Sequence, residues 1–213
     1  MERIQLKGEN IAVCAIKAAE VLRAGGVVLY PTDTLYGLGA DAFSDKAFEK
    51  VCTIKDRDER RPIHAVFADL VMAEQYADIS PLGRKLADSF LPGPLTLVFK
   101  KKDSMTTGIA HNLSTIGVRI PKNEFCLALA HEFGKPFTTT SANMSGSESP
   151  ATLDGILAQL EQNVALIDLA IDGGTLPSYT RSTVVDVREQ QPHVLREGVI
   201  SAAEISKALE GGE

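Results

Sequence analysis

The spacing of apolar residues changes repeatedly along the chain, between the period of an amphipathic helix and the short continuous runs typical of strands. After Asn10, a residue type that caps helices, apolar side chains recur on one helical face until Gly25 and Gly26, which end the helix. Similar signals predict helices from Ser44, over 70–77, 82–90, 124–132 and 152–160, and after a capping box at 201–204. Strands are predicted at 27–30, 62–68, 96–99, 116–120, 136–140, 165–170, 183–187 and 193–196.

Helices and strands are interleaved over the whole length, which predicts the α/β class with a mixed sheet. The 213 residues fit one ordinary domain, with 44% hydrophobic and 23% charged residues. No repeat, low-complexity tract or long linker divides them. We therefore expect a single domain over 1–213 whose last helix occupies 201–210.

Several classes of protein are disfavoured by the bulk properties. No apolar run reaches the roughly 18 residues of a membrane span, and the N-terminus lacks a secretory signal, so we expect a cytoplasmic protein without a membrane partner. Cys14, Cys52 and Cys126 stand alone without a CxxC pair, which predicts reduced core thiols. The net charge of −6 argues against a surface that grips nucleic acid everywhere, although it allows a local basic cleft.

Two segments in the first third of the chain carry candidate chemistry. Residues 30–39, YPTDTLYGLG, place two threonines, an aspartate and two glycines after a strand, where ligands of open α/β sheets bind. On spacing alone, an ordinary turn with side-chain-to-backbone bonds is the favoured explanation of this segment. Residues 55–62, KDRDERRP, could clasp phosphates, or form a solvated loop in which the acidic residues pair with the cations.

Three later segments are further candidates. Arg119 stands inside an apolar strand, where it needs a carboxylate partner from a ligand or from the protein. Residues 138–146, TTTSANMSG, offer small hydroxyl groups at a strand end, or a simple Ser/Asn turn. Arg181-Ser182-Thr183 and Arg196 flank the last predicted strands, and surface arginines are common enough to explain them without a ligand.

Other familiar sites are not indicated. The sequence contains no GxGxxG, no P-loop and no GxSxG motif. No HxH or HxxxH pair occurs among the four histidines, which are His64, His111, His131 and His193. No protein metal site is therefore predicted.

Taken in order, the segments PTDTLYGLGADAF, KDR, STIGVRIP, TTTSANMSG, RSTVVDV and LREG resemble the YrdC family, the threonylcarbamoyl-AMP synthases. The resemblance runs from about residue 11 to 199 and looks like the short form without an appended domain. It implies a twisted open mixed sheet with flanking helices and a large basic concave cavity. The Lys-x-Arg and Ser-x-Asn elements are intact, which favours the synthase over relatives that lack them.

The resemblance implies a reaction and its partners. L-Threonine, bicarbonate and ATP would give threonylcarbamoyl-AMP and pyrophosphate, with Mg²⁺ held mainly through the phosphates. A tRNA threonylcarbamoyl transferase machinery would then use the product to form N6-threonylcarbamoyladenosine. Alternatives from other classes are an RNA-binding module and a regulatory fold relative without synthase activity. Few aromatic residues, 6%, and the acidic total disfavour the former, although weak tRNA binding stays open.

The resemblance also implies site residues. Lys55 and Arg57 would be catalytic. Threonine would be held by Thr34, Arg119, Thr139 and Ser182. The nucleotide and its phosphates would be lined by Lys55, Arg57, Arg61, Thr115, Ser141, Asn143, Ser149 and Arg196.

Two positions depart from some relatives. Arg61 stands where they have asparagine and could still reach a phosphate. Val66 stands where they have a histidine that contacts threonine, and valine cannot make a polar contact. His64 lies on the same face of the predicted strand but about 7 Å away, so it is no simple replacement.

Overall fold

Among the residues that the structure describes, eleven strands form a mixed sheet at the centre of the protein. A computed structural model describes residues 1–58, 63–110, 113–177 and 180–210. The strands are β1 (Glu2–Gln5), β2 (Val28–Tyr30), β3 (Gly37–Gly39), β4 (His64–Val66), β5 (Ala77–Asp78), β6 (Leu95–Lys101), β7 (Thr115–Arg119), β8 (Phe137–Ser141), β9 (Leu169–Asp172), β10 (Thr183–Asp186) and β11 (His193–Arg196). They follow the order β1-β9-β2-β3-β8-β4-β7-β6-β10-β11, with β5 paired to β6. The sheet contains both parallel pairs, such as β4 with β7, and antiparallel pairs, such as β7 with β6, which confirms the predicted mixed sheet.

The helices begin close to where local signals predict them, although α3 ends at Glu74, before the predicted residue 77. They are α1 (Ile11–Arg23), α2 (Asp45–Lys55), α3 (Leu70–Glu74), α4 (Pro81–Phe90), α5 (Glu124–Phe133), α6 (Leu153–Leu160) and α7 (Ala202–Glu210). Ser44 and Thr152 cap α2 and α6 by accepting backbone N–H groups. Ser201 and Glu204 form the predicted capping box before α7. In the described part of the chain, no helix combines the length and the apolar character needed to cross a bilayer.

The two faces of the sheet are covered unequally. One face packs against α2, α3, α4, α6 and α7, whose apolar residues share a core with Leu97, Val118 and Val185. On the other face α1 and α5 bury a second core with Tyr30, Val66 and other residues of β2, β4, β8 and β9. This second core does not extend over β6, β7 and β10, so part of the face stays open for a site.

Three strands, β1, β3 and β5, were not predicted, and the strand predicted at 165–170 was misplaced. β1 is a polar edge strand that pairs with β9, and β3 reads Gly-Leu-Gly, whose glycines pack on the Tyr30 ring. The apolar run predicted as a strand at 165–170 begins as a 3₁₀ helix, Glu161–Leu166, and the strand starts only at Leu169. These elements depend on pairing with distant strands, which local patterns do not report.

Gly83 offers a test of the packing between α4 and the sheet. A Cβ on Gly83 would lie 2.2 Å from Cε1 of the fully buried Phe99 and 3.0 Å from Val187. We expect Gly83→Ala to lower the free energy of unfolding by about 1–3 kcal/mol, because overpacking outweighs the gain in helix propensity. Gly8→Ala is the control, since a Cβ there meets nothing within 4 Å. Equal stability of both variants in urea unfolding would contradict the described packing.

Candidate functional site

The open part of the sheet carries a cavity of about 430 Å³. The floor of the cavity is formed by one end of strands β4 and β8, and the other end of each strand is buried in the second core. On β8, Phe137 packs under α5, whereas Thr139 and Ser141 reach the cavity, and on β4 Val66 is core while His64 reaches the cavity. Because alternate residues of a strand share a face, one face of each strand passes from apolar to polar where helix cover ends.

The cavity is strongly cationic although the chain is acidic. Within the described part of its lining there are five cations and no carboxylate: Lys55, Arg57, Arg119, Arg181 and Arg196. Like charges held this close repel one another, and an anionic ligand would relieve that repulsion. Clusters of His, Cys, Asp and Glu that could hold a metal ion are not found among the described residues.

Arg119 is the best defined cation. Only 7% exposed, it donates from Nη2 to Asp33 Oδ1 and to Thr34 Oγ1, both at 2.6 Å. Asp33 also accepts the Lys122 N–H at 3.1 Å, which fixes the carboxylate. The buried Nε of Arg119 has no acceptor among the described residues. The guanidinium is thus oriented by an internal carboxylate and keeps a donor for a ligand.

The segment before β3 is a hydroxyl-stabilised turn. Thr32 Oγ1 accepts the N–H groups of Thr34 at 3.0 Å and Leu35 at 3.2 Å, and donates to Leu35 O at 2.6 Å. The ordinary-turn interpretation therefore describes Thr32 correctly. It also sets Thr34 against Arg119 in the cavity wall, so the turn builds part of the site.

Lys55, the last residue of α2, is only 2% exposed and holds the loop after β8. Its Nζ donates to Ser141 O, to Asn143 O at 2.7 Å and to Asn143 Oδ1 at 3.2 Å. These acceptors match the three N–H groups of an ammonium. Burial, with Arg57 and Arg181 nearby, lowers the pKa of Lys55 to about 7.

The loop after β8 is held by its own side chains as well. Asn143 is 3% exposed and donates from Nδ2 to Met144 O at 2.9 Å and to Ser147 O at 2.7 Å, while its Oδ1 accepts from Ser141. The loop N–H of Ser145 returns to Lys55 O at 2.9 Å. The Lys-x-Arg and Ser-x-Asn elements thus form one hydrogen-bonded unit at the cavity edge.

Arg196, Ser182 and Thr96 form the opposite wall. Arg196 Nη2 donates to Ser182 O at 2.9 Å and to Ser182 Oγ at 3.3 Å. The Ser182 hydroxyl lies 3.1 Å from the buried Thr96 hydroxyl on β6. Burial and the neighbouring Arg181, Arg119 and Arg57 lower the pKa of Arg196. This wall therefore places the hydrogen-bonded hydroxyl of Ser182 beside Arg196, a cation with three other arginines nearby.

The structure brings together nine of the residues that the sequence singles out. These are Thr34, Lys55, Arg57, Arg119, Thr139, Ser141, Asn143, Ser182 and Arg196. Thr115 lies outside this cavity and borders a neighbouring one of about 250 Å³. Ser149 lines neither, and its buried Oγ has no partner among the described residues. Arg61 and His111 lie outside the described residues. The roles of all these residues stay predictions.

The polar lining residues without a predicted ligand role include Thr32, His64, Thr96 and Arg181. Arg181 adjoins Ser182, so its position in the same segment was an available signal. Thr96 is a polar residue in an apolar strand, which is another. Nothing local distinguishes His64 from a histidine on any half-buried strand.

The mixed sheet and the cation-lined cavity define an α/β protein with a cavity suited to anionic ligands beside clustered hydroxyl groups. Comparison with known proteins then gives the family. The family model of Sua5, YciO and YrdC, described as Telomere recombination, matches residues 20–198. The chain belongs to this family.

Individual relatives agree with this assignment. A Methanocaldococcus jannaschii protein is 38% identical over 183 residues, which cover 86% of this chain and 84% of the relative. The threonylcarbamoyl-AMP synthase of Pyrococcus abyssi is 35% identical over 193 residues, 90% of this chain and 56% of the relative. The crystal structure of P. abyssi Sua5 complexed with L-threonine is 33% identical with a TM-score of 0.85, and the match covers 98% of this chain and 59% of that chain. The chain thus spans little more than half the length of these P. abyssi matches.

Proposed function

We propose that the chain is an L-threonylcarbamoyladenylate synthase, a nucleotidyltransferase that condenses L-threonine, bicarbonate and ATP. One observation carries the proposal: nine predicted substrate residues line a single cavity with five cations and no described carboxylate. The identity of 35% to a relative named threonylcarbamoyl-AMP synthase supports the same activity. The site's residue roles below are part of the proposal.

Threonine is assigned to the end of the cavity around Arg119. Its carboxylate would pair with the guanidinium of Arg119, which lines the cavity. The hydroxyls of Thr34, Thr139 and Ser182 line the same cavity and can fix the amine and side-chain hydroxyl. Val66 is fully buried in the second core. It therefore makes no polar contact to threonine of the kind that a histidine at this position makes in some relatives.

ATP is assigned to the rest of the main cavity and to its smaller neighbour. The two cavities share Ile63, His64 and Leu195, and the smaller one is lined partly by Val98 and Ile109. Apolar walls suit a nucleoside, and Thr115 on the same cavity can serve its hydroxyl groups. The phosphates would lie in the main cavity near Arg57 and Arg196, and Mg²⁺ would enter as part of MgATP, held through phosphate oxygens.

The proposed chemistry needs alignment and charge neutralisation more than a protein nucleophile. The neutral amine of threonine attacks CO₂, which forms from bicarbonate with release of hydroxide. The products are a carbamate anion and a proton, which the hydroxide takes up to form water. A carbamate oxygen then attacks the α-phosphorus of ATP, the bond to the β-phosphate oxygen breaks, and pyrophosphate leaves. Arg57 and Arg196 would offset the phosphate charge, and Arg119 would orient threonine. Since Lys55 bonds three loop acceptors, its role would be to position Ser141 and Asn143.

Three further parts of the proposal concern the downstream partner, the cellular compartment and the domain organisation. The product would pass to a tRNA threonylcarbamoyl transferase machinery, with at most weak binding of tRNA by this chain. Three buried free cysteines suit a reducing cytoplasm. Residues 1–213 would act as one domain.

The proposal is tested by measuring pyrophosphate release. With MgATP present, release should require both threonine and bicarbonate, and serine should replace threonine poorly. Release independent of threonine would refute the synthase. Salt-sensitive RNA binding without any turnover would instead favour the RNA-binding alternative.

A further inference from the structure

His64 stands at the point where the two cavities meet. It is the first residue of β4 and lines both the main cavity and its smaller neighbour. Thr139 of the cavity floor is its direct partner on β8. If the phosphates occupy one cavity and the nucleoside the other, the atoms beside His64 belong to the α-phosphate and the ribose.

The backbone under the ring is shaped for it. A Cβ on Gly117 of β7 would lie 2.4 Å from His64 Cδ2 and 2.8 Å from Cγ. Any side chain at that position would displace the imidazole. Glycine therefore lets the ring lie against the sheet, at a fixed height between the two cavities.

His64 is half-buried and lines both cavities. No hydrogen bond to the His64 ring occurs within the part of the chain that the structure describes. Burial lowers the pKa of His64 to about 3, helped by the cations Arg196, Arg119 and Arg57. The imidazole is thus neutral at pH 7, with one N–H donor and one acceptor. The acceptor is unusual in a cavity whose charged side chains are all donors.

We propose that His64 is a catalytic residue that contacts the bound nucleotide, donating a hydrogen bond to an α-phosphate oxygen and accepting one from a ribose hydroxyl. This inference rests on the proposed synthase function. His64 would hold the α-phosphorus in line with the carbamate oxygen and would take no proton in the reaction. This role is distinct from that of the histidine that some relatives have at position 66, because position 66 is a core valine in this chain.

The first test compares His64→Leu with His64→Gln and with His131→Leu, an exposed control. We expect His64→Leu to lower kcat by about 10- to 100-fold, the loss of one hydrogen bond to a charged group, with the KM for threonine changed less than about twofold. Glutamine, which keeps an N–H donor, should recover part of the loss, and the control should match wild type. A His64→Leu variant with wild-type kcat would overturn the inference while leaving the synthase proposal intact.

A second measurement needs no turnover. The His64 ring resonance, identified by its loss in His64→Leu, should shift when AMP or ATP is added to the wild-type protein, and the pKa of His64 should rise because phosphate offsets the arginines. Inorganic pyrophosphate, which lacks the nucleoside, should shift it less. Binding of ATP by calorimetry without any shift at His64 would refute the contact. No binding of ATP at all would refute the synthase function itself.

Gly117 supplies a coupled test. Gly117→Ala should lower kcat as His64→Leu does, because its Cβ displaces the ring. In a His64→Ala background the same change should cost less than about twofold, since the clash is gone. Thermal unfolding confirms that each variant is folded. Full, independent losses in both backgrounds would show that ring position does not matter and would contradict the proposal.

Discussion

Replacing Arg119 with alanine should lower kcat/KM for threonine by about 10²- to 10³-fold while changing the KM for ATP less than about threefold. The estimate corresponds to loss of the charge-assisted pairing between the Arg119 guanidinium and the substrate carboxylate. Arg119 Nη2 is held by Asp33 and Thr34, so its position is fixed before the substrate arrives. Initial rates with each substrate varied in turn measure the two effects separately.

Two controls isolate the substrate contact from a loss of stability. Arg119→Ala strands Asp33, whose side chain is only 10% exposed, without its ion-pair partner. The double variant Arg119→Ala with Asp33→Asn should recover stability but leave the threonine defect. Arg84→Ala removes an exposed arginine paired with Glu74 and should change neither KM. Equal losses for threonine and ATP in Arg119→Ala would refute its assignment to the carboxylate.

Replacing Lys55 with methionine should lower kcat/KM for both substrates by at least about 100-fold, with the fold retained. Three acceptors on Ser141 and Asn143 lose their donor, and buried acceptors without partners favour a rearranged loop. Hydrogen exchange should therefore increase over residues 141–147. Lys46→Met, an exposed lysine on the same helix, is the control. Wild-type turnover in Lys55→Met would show that activity does not depend on this lysine or on its bonds to the loop.

The pH dependence of kcat/KM reports the same lysine. Its pKa of about 7 means that the ammonium, with three donors, prevails below pH 7, and that one donor is lost as the pH rises. Activity should consequently decline above about pH 7. Arg181→Ala removes a neighbouring cation that lowers this pKa, so the decline should move to higher pH. A decline at the same pH in Arg181→Ala would exclude Lys55 as its source.

Local signals were sufficient for most of the fold. Helix starts at Ser44, Thr152 and Ser201 follow from side-chain caps, which involve residues three positions apart. The strands β1 and β3 were missed because a polar edge and a Gly-Leu-Gly run become strands only through their neighbours. The unequal helix cover, which creates the cavity, is likewise a property of the assembled sheet.

The candidate site shows why single motifs were ambiguous. Lys55 both belongs to the family pattern and bonds to protein acceptors, and Thr32 is both a turn residue and part of the cavity wall. Each simple interpretation was partly right. The order of the segments along the chain favoured the family interpretation, and the structure then brings their residues together in one cavity. The sequence marks His64 only as no simple replacement for a histidine at position 66, because its place beside Gly117 and between two cavities arises only in the assembled sheet.

The central claim is that this cavity joins three substrates into one adenylate. Incubation with threonine, MgATP and ¹³C-bicarbonate, followed by mass spectrometry, tests it most directly. We expect threonylcarbamoyl-AMP that carries one ¹³C atom, formed in step with pyrophosphate and absent when any substrate is withheld. Pyrophosphate release with an unlabelled adenylate, or no adenylate with ATP and threonine both bound, would contradict the account.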